Sequence, residues 1–512
     1  MKNMLRYIRI CTALAVLLGA TACLEKYPAQ SIPEKEAMQN YNDAEQHLVG
    51  IYSSLKSGAL YTGYLTLLPD IQSDLVYAVE GNSNTYGDYW QWTVRSTASE
   101  ILSVYGSLYT VIGDCNFFLD RIDAVKAAET DDEKLDVLDA YTGEVYAIRA
   151  LCYSELLKCF CKAYDPATAD QEPGVVLRTK YFEKEPVRRA TLRDSYDFVL
   201  QNLAKAEELL SDEDSENAAN AVFFTLAAAE ALHARVALYM QDWETAIEYS
   251  SKLIDERSHL FELADAKTAI TSDGLTWFDY MWFYDQSPEV IFRVGLLSTD
   301  STGALGSVFL SFNRDYTYFY PDFVPAQWVL NAYDNNDLRY TSYFADKNNG
   351  IVIGYGNGME WPLLVKYYGN RTFIQSYIYH ISMPKVFRLA EQYLIRAEAY
   401  CNLPTPNYTA ASKDLTTLRQ TRYASGGTLN VTQANWLEQI SNERVRELYM
   451  EGFRLHDLKR WGMGFERQKQ SFAQNEGSTL KIAGDDPRMV WPIPQHELEA
   501  PGSEIEPNES NN

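Results

Sequence analysis

The stretch TLAAAEALHARVALYMQDWETAIEYSSKLID, residues 225–255, constrains the fold more than any other in this chain. After Thr225, Ala231, Ala234 and Ala237 recur at three-residue steps, so one face of a helix carries almost no side-chain bulk. The pattern ends near Met240, Gln241 and Asp242 form a tight connection, and Trp243 opens a second run with Ala246, Tyr249 and Ile254 following. So short a link makes the two helices antiparallel neighbours, and the alanine face lets the second backbone come close.

That is the layout of a tetratricopeptide hairpin. It returns at KVFRLAEQYLIRAEAYCNL from Lys385, followed by YTAASKDLTTLRQTRY from Tyr408. Two further segments have helical periodicity. EVYAIRALCYSELLKCFCKAY from Glu144 places Val145, Ile148, Leu151, Leu156 and Phe160 on an apolar face, and TLRDSYDFVLQNLAKAEELL begins on a Thr191 cap. The pairs are scattered without one fixed period, so generic antiparallel helices stay open as the alternative. Between 258 and 384 the texture changes to Gly, Asn, Asp and aromatics, with short strand-like runs such as Val290–Val294, and 73–97 is similar. Irregular excursions of that length inside a helical chain are usually functional loops. The fold class expected is mainly α: a tetratricopeptide-like helix-pair scaffold over about 140–256 and 385–462, an irregular aromatic-rich loop region over about 73–97 and 258–384, and a few short strands.

The first 22 residues are set apart from this fold. Lys2, Arg6 and Arg9 precede an apolar run from Cys11 to Ala22, well short of the roughly 20 residues that span a bilayer. This is the pattern of a secretory signal peptide. Ala20-Thr21-Ala22 fits cleavage by a general signal peptidase, whereas Cys23 directly after small residues fits a lipobox, with the lipid on the Cys23 sulfur and 23–40 as tether. The body, 41–512, reads as a single domain. Composition supports a large core, at 46% hydrophobic and 13% aromatic residues. Against 45 basic residues stand 70 acidic ones, a net −25 that becomes −28 when the three basic residues of the signal are lost. That field repels phosphate, so nucleic acid is no expected partner.

No cofactor or metal site is legible. Cys115, Cys152, Cys159, Cys161 and Cys401 are an odd set once Cys11 and Cys23 are set aside, and the seven-residue step from Cys152 to Cys159 is about 10 Å along a helix, too far to bridge. They read as small buried hydrophobes. The run Asp334–Asp337 is oxygen-rich, lacks EF-hand spacing and reads as a turn, as does IGYGNGME around Gly354. HExxH, GxSxG and P-loop motifs are absent from the sequence. For a helical glycosidase, the rival reading, the carboxylates to consider first are Asp70 and Asp74, with helix capping as their structural alternative.

The late segment NERVRELYMEGFRLHDLKRWG, Asn442 to Gly462, resembles the hallmark helix of SusD/RagB-type outer-membrane lipoproteins through Glu443, Arg444, Glu447, Leu448, Glu451-Gly452, Arg454, Asp457-Leu458 and Arg460-Trp461-Gly462. From its residues alone it is an amphipathic helix with Val445, Leu448, Tyr449 and Leu455 facing a core, charged residues pairing along its surface, and Gly452 permitting a close backbone approach. Asp120 in YTVIGDCNFFLDRI, the Glu144 helix and the closing WPIPQHELEA from Trp491 are similar to the family too, in the family's order. The resemblance implies a lipid-anchored protein on the outer face of the outer membrane, without catalytic activity or cofactor, that hands glycans, occasionally peptides, to a TonB-dependent SusC-like transporter. A tetratricopeptide scaffold that binds protein alone is the third reading, against which the long aromatic middle speaks.

The chain's 37 Tyr, 21 Phe and ten Trp gather in those loops, and aromatic faces stack on the C–H faces of sugars while Asn, Asp, Gln and Arg take the hydroxyls. The candidate ligand residues are Tyr86, Tyr89 and Trp90 in the first loop, Trp282 and Tyr284 in TWFDYMWFYDQ, and Asn313, Arg314, Tyr316 and Tyr318 in RDYTYFYPDF and the residue before it. Trp90 is the expected central ring, or Trp282 if the first loop is buried; Trp92 is expected to pack inside. Trp277, Tyr280, Trp282 and Tyr284 alternate, so half of them should point inward.

Overall fold

The alanine hairpin forms as expected. Its two helices, Leu226–Tyr239 and Trp243–Ser251, are joined through Met240–Asp242, and the Asp242 carboxylate accepts the Thr245 N–H to start the second. The computed structural model of this protein describes residues 37–182, 187–212, 219–300, 302–311, 319–345, 362–471 and 473–511. Its principal helices are α1 Tyr41–Ser54, α2 Tyr64–Gln72, α3 Ser99–Leu119, α4 Asp132–Phe160, α5 Leu192–Leu209, α6 Leu226–Tyr239, α7 Trp243–Ser251, α8 Trp277–Phe283, α9 Leu389–Asn402, α10 Tyr408–Arg422, α11 Trp436–Glu447 and α12 Arg454–Arg460. Thr191 caps α5 as its sequence position indicates, accepting the Asp194 N–H. Helix α4 starts 12 residues before Glu144, because Asp131 caps it upstream.

Pairs α3–α4, α4–α5, α6–α7 and α9–α10 pack side by side, and α7 also packs on α9. That last contact joins helix pairs far apart in sequence. Ala234, Ala237 and Leu238 of α6, Ala246 of α7 and Ile395 and Ala399 of α9 form one cluster, so the alanine face serves two neighbours at once. The five cysteines outside the first 36 residues are free and buried.

Strands are few and paired in twos: Val76–Ala78 with Phe323–Pro325, Val290–Arg293 with Lys385–Arg388, Phe344–Ala345 with Leu363–Leu364, and Phe465–Glu466 with Lys481–Ile482, all antiparallel. They clip the irregular regions onto the helical scaffold. Among the described residues no helix is long and apolar enough to cross a membrane.

The segment Asn442–Gly462 departs from the expected single helix. It breaks after Glu447, passes through left-handed Met450 (φ 60°) and Gly452 (φ 83°), and resumes as α12. A Cβ on Gly452 would lie 2.3 Å from the Leu65 carbonyl oxygen, so the glycine does permit a close approach, but at a break and in a conformation that L side chains rarely adopt. The Asp70 carboxylate bridges the break, accepting the N–H of Gly452 at 2.9 Å and of Arg454 at 2.8 Å. Burial pushes this carboxyl up to about 7 even though the two amides favour its charge.

The charges of this segment do pair at three-residue steps, Glu443 with Arg446 at 2.6 Å and Asp457 with Arg460 at 2.9 Å, but in the interior and tied to distant elements rather than along a surface. Arg339 holds Asp337, Glu443 and Glu447 at 2.6–2.8 Å, Arg388 holds Glu289, Glu447 and Glu451 at 2.5–2.8 Å, and Arg422 holds Glu289 and Glu447, all of them buried. Glu447, at the end of α11, thus ties three arginines from three elements. A buried ion-pair network holds only if every member is matched, and this one locks the loop region to the helices.

Candidate functional site

The strand pair Val76–Ala78/Phe323–Pro325, with Ala78 opposite Phe323, brings the first aromatic loop beside the segment that closes the second. Val79 donates its N–H to the Asp322 carbonyl at 2.9 Å. The Asp322 carboxylate then takes both the N–H and the hydroxyl of Ser83, at 2.6 and 2.8 Å, which fixes the Gly/Asn-rich turn. The Tyr320 hydroxyl lies 3.4 Å from the Gly81 carbonyl. Two stretches 240 residues apart in sequence are therefore one surface. Asn313, Arg314, Tyr316 and Tyr318, which lead into Tyr320, lie outside the described residues, as do Gly354 and Cys23.

Tyr86 is the ring that this loop presents. Its backbone is left-handed (φ 58°), its side chain is half-buried, and its ring meets Tyr64 edge-on at 5.9 Å. Burial foremost, then Tyr64, Glu100 and Asp322, push its hydroxyl up to about 12, so it stays a neutral donor. Asn84 and Asp88 beside it are exposed and polar. Tyr86, Tyr64, Tyr320 and these polar groups make an aromatic surface edged with hydrogen-bonding atoms.

Tyr89 and Trp90 are not part of it. Residues 87–90 form one helical turn that points both rings inward. Tyr89 packs edge-on against Trp491, and Trp90 lies under the Arg467 guanidinium, 3.5 Å from its ring centroid, with its indole N–H on the Glu476 carbonyl at 3.0 Å. Both rings are at most 1% exposed, so as ligand platforms they are corrected to core. Trp92 packs inside as expected, its N–H on the Gln72 carbonyl at 2.5 Å.

Trp282 is corrected likewise. TWFDYMWF does not alternate as a strand; Thr276 and Asp279 form a capping box and the run becomes α8. Its period then sends Phe278, Met281 and Trp282 into the core, where the Lys366 ammonium stands 3.9 Å from the Trp282 ring. Trp277, Tyr280 and Tyr284 share the outer face, with Tyr280 and Tyr284 stacked at 4.4 Å and Trp277 edge-on at 5.9 Å. Tyr284 so remains accessible, on a different element from Tyr86.

The glycosidase pair is also placed. Asp70 is fully buried at the Gly452 break, and Asp74 forks the Arg454 guanidinium at 2.8 and 2.9 Å. Both have structural roles, but not the expected helix capping: Asp70 bridges the chain break and Asp74 pairs with a side chain. Asp334 accepts the Asn336 N–H in a turn, while Asp337 is committed to Arg339. Sequence reasoning did not single out Tyr64, Asp322 or Trp328. Tyr64 sits on a helix and Asp322 acts through a loop that only pairing of distant strands brings near. Trp328 closes the aromatic stretch RDYTYFYPDFVPAQW and carried the same signal as its rings.

Comparison with known proteins agrees with this architecture. The SusD family model matches residues 308–503, and a second, described as starch-binding associating with outer membrane, matches residues 24–238. The chain belongs to the SusD family. A SusD-like protein of Formosa agariphila is 25% identical over 482 residues, 86% of either chain. A SusD superfamily structure from Bacteroides thetaiotaomicron superposes with a TM-score of 0.76 at 22% identity, covering 92% of this chain and 99% of that one. Surface glycan-binding protein A of Bacteroides fluxus superposes at 0.68 and 20% identity, covering 91% and 99%. These likenesses carry the fold: the mainly α scaffold with few short strands is that of the SusD superfamily.

Proposed function

We propose that this SusD-family protein is a cell-surface lipoprotein that binds oligosaccharides without cleaving them and passes them to a TonB-dependent, SusC-like transporter in the outer membrane. The observation that carries the glycan reading is the surface where Tyr86, Tyr64 and Tyr320 meet exposed Asn84 and Asp88 over a turn pinned by Asp322. It offers faces for sugar C–H groups and polar edges for hydroxyls, on a rigid strand pair. Asn313, Arg314, Tyr316 and Tyr318, adjoining Tyr320 in sequence, belong to the same proposed site, and Tyr284 with Tyr280 and Trp277 supplies a further aromatic face. That a neighbouring fold is named a surface glycan-binding protein supports the ligand class. The net charge of −25 suits neutral sugars over anionic ones. Cys23 is the proposed lipid anchor.

Titration calorimetry of the lipid-free chain against neutral oligosaccharides tests the reading. Micromolar to millimolar binding with the sugar recovered intact is the expected result, because a few stacked rings give weak affinity suited to release. Cleaved sugar would turn the reading to an enzyme, and silence towards sugars with binding of peptides would turn it to peptide capture.

A further inference from the structure

At the other end of the same strand pair lies a cavity of about 700 Å³. Ligand sites typically fall in the range 300–1,000 Å³. The strands that separate it from the Tyr86 surface are three residues long, about 10 Å. Trp328 stands in its wall, half-buried, with its indole N–H held by the Asp74 carbonyl at 2.7 Å and the Arg454 guanidinium 5.6 Å from its ring. An indole so fixed loses little rotamer freedom when a ligand stacks on it.

Around Trp328 the lining is built of side-chain amides. The Gln327 N–H donates to Gln470 Oε1 at 2.6 Å, which leaves the Gln470 amide nitrogen with no partner among the described residues. The Gln327 side chain donates to Asn331 at 2.9 Å, and its carbonyl oxygen has no partner among the described residues. Gln468 adds a third amide, on a backbone whose carbonyl receives the Tyr77 hydroxyl. Donors and acceptors in the same wall are what a sugar hydroxyl, itself both, requires.

Charge narrows the ligand. Two acids in the lining, Asp74 and Glu466, are balanced by two bases, Arg454 and Lys469, and the Asp74–Arg454 pair is already closed bidentately. Glu466 pairs outside the lining with Lys481 at 3.2 Å, and Lys469, on the Asn475 side-chain oxygen at 3.3 Å, is the one lining cation with no acid among the described residues; no guanidinium is left to fork a phosphate or uronate.

We propose that this cavity is a second oligosaccharide subsite, for a neutral sugar that stacks on Trp328 and hydrogen-bonds to Gln327 and Gln470. It rests on the glycan-binding reading above and adds a place that the family assignment does not supply. Residues 473–474 link the two sites: Gln474 takes the Asn82 side chain at 2.7 Å and donates its N–H to Ala78 at 2.8 Å.

The test labels the ten tryptophans with 5-fluorotryptophan and assigns the Trp328 signal in the ¹⁹F spectrum through Trp328→Phe. The labelled chain is titrated with gluco-, manno-, galacto- and xylo-configured neutral oligosaccharides and with oligogalacturonate, and each is also run by calorimetry. The expected result is that the neutral sugar bound by calorimetry moves the Trp328 signal. Trp328→Ala should then weaken that sugar about tenfold or more. Gln470→Ala, at the rim, should weaken it with an unchanged melting temperature, which covers the case of a Trp328→Ala chain that folds poorly. A sugar that binds by calorimetry and leaves the Trp328 signal in place overturns the subsite while the proposed function stands. So does oligogalacturonate moving that signal as strongly as a neutral sugar. If no sugar in the panel binds at all, the function and the subsite fall together.

Discussion

Trp90 and Tyr86 are four residues apart in one loop and stand in opposite environments. Trp90 is 0% exposed and sandwiched by Arg467. Trp90→Ala is expected to cost about 3–5 kcal/mol of stability through the cavity left behind, read as a large drop in melting temperature. Tyr86→Ala should leave the melting temperature within error of wild type and weaken oligosaccharide binding about tenfold, or ~1.4 kcal/mol, by calorimetry. Normal binding by a folded Tyr86→Ala chain would move the platform towards Tyr284. Aromatic composition named both rings; the choice between them was not legible, because it depends on a single helical turn at 87–90 entered through a left-handed Tyr86.

Among the elements, the break between α11 and α12 concentrates the constraints. Gly452→Ala would put a methyl 2.3 Å from a backbone oxygen at a φ of 83°, where nothing flexible can yield. A loss of at least about 2 kcal/mol is expected in chemical denaturation. A variant as stable as wild type would show that the Leu65 backbone can retreat. The ionic network beside it makes stability depend on acid. Burial alone would raise the Glu443 carboxyl, but Arg446 and Arg339 overcome that and hold it at about 2. Since the folded value lies below the unfolded one near 4.5, this stabilisation is fully present above pH 4.5 and lost as pH falls towards 2. The shift corresponds to about 3 kcal/mol. Melting curves taken between pH 6 and pH 3 should fall below pH 4.5, and Glu443→Gln, already destabilised at pH 6, should fall less steeply. Parallel curves for the two proteins would remove Glu443 from the acid response.

On the scale of the whole molecule, the helix pairs act as one body because α7 packs on α9, and the Arg339–Glu447 pair ties the loop region to α11. Attachment to the membrane falls to Cys23 in the proposed function. Cys23→Ala should release the folded protein from the membrane fraction and abolish [³H]palmitate labelling, since stable anchoring takes roughly two or more acyl chains and this residue would carry them. Labelling that persists in the variant would refute the anchor.

Local pattern determined the helices. Thr191 and Asp242 caps, the alanine face of residues 231–237 and the apolar stripe from Val145 are written in neighbouring residues, and so the scaffold and its tight α6–α7 turn were legible in the chain alone. The hallmark residues of Asn442–Gly462 identified the family but not their own geometry. Their pairing partners, Asp70, Arg339 and Arg388, come from distant segments, and only those contacts turn the expected helix into two with a left-handed joint. The site was half legible for the same reason. Composition showed which loops are aromatic, whereas which rings face solvent was decided by antiparallel pairing of strands almost 250 residues apart and by burial of cations against Trp90 and Trp282. Side-chain direction in an irregular segment follows from what that segment packs against, and a sequence carries that information only through the whole fold.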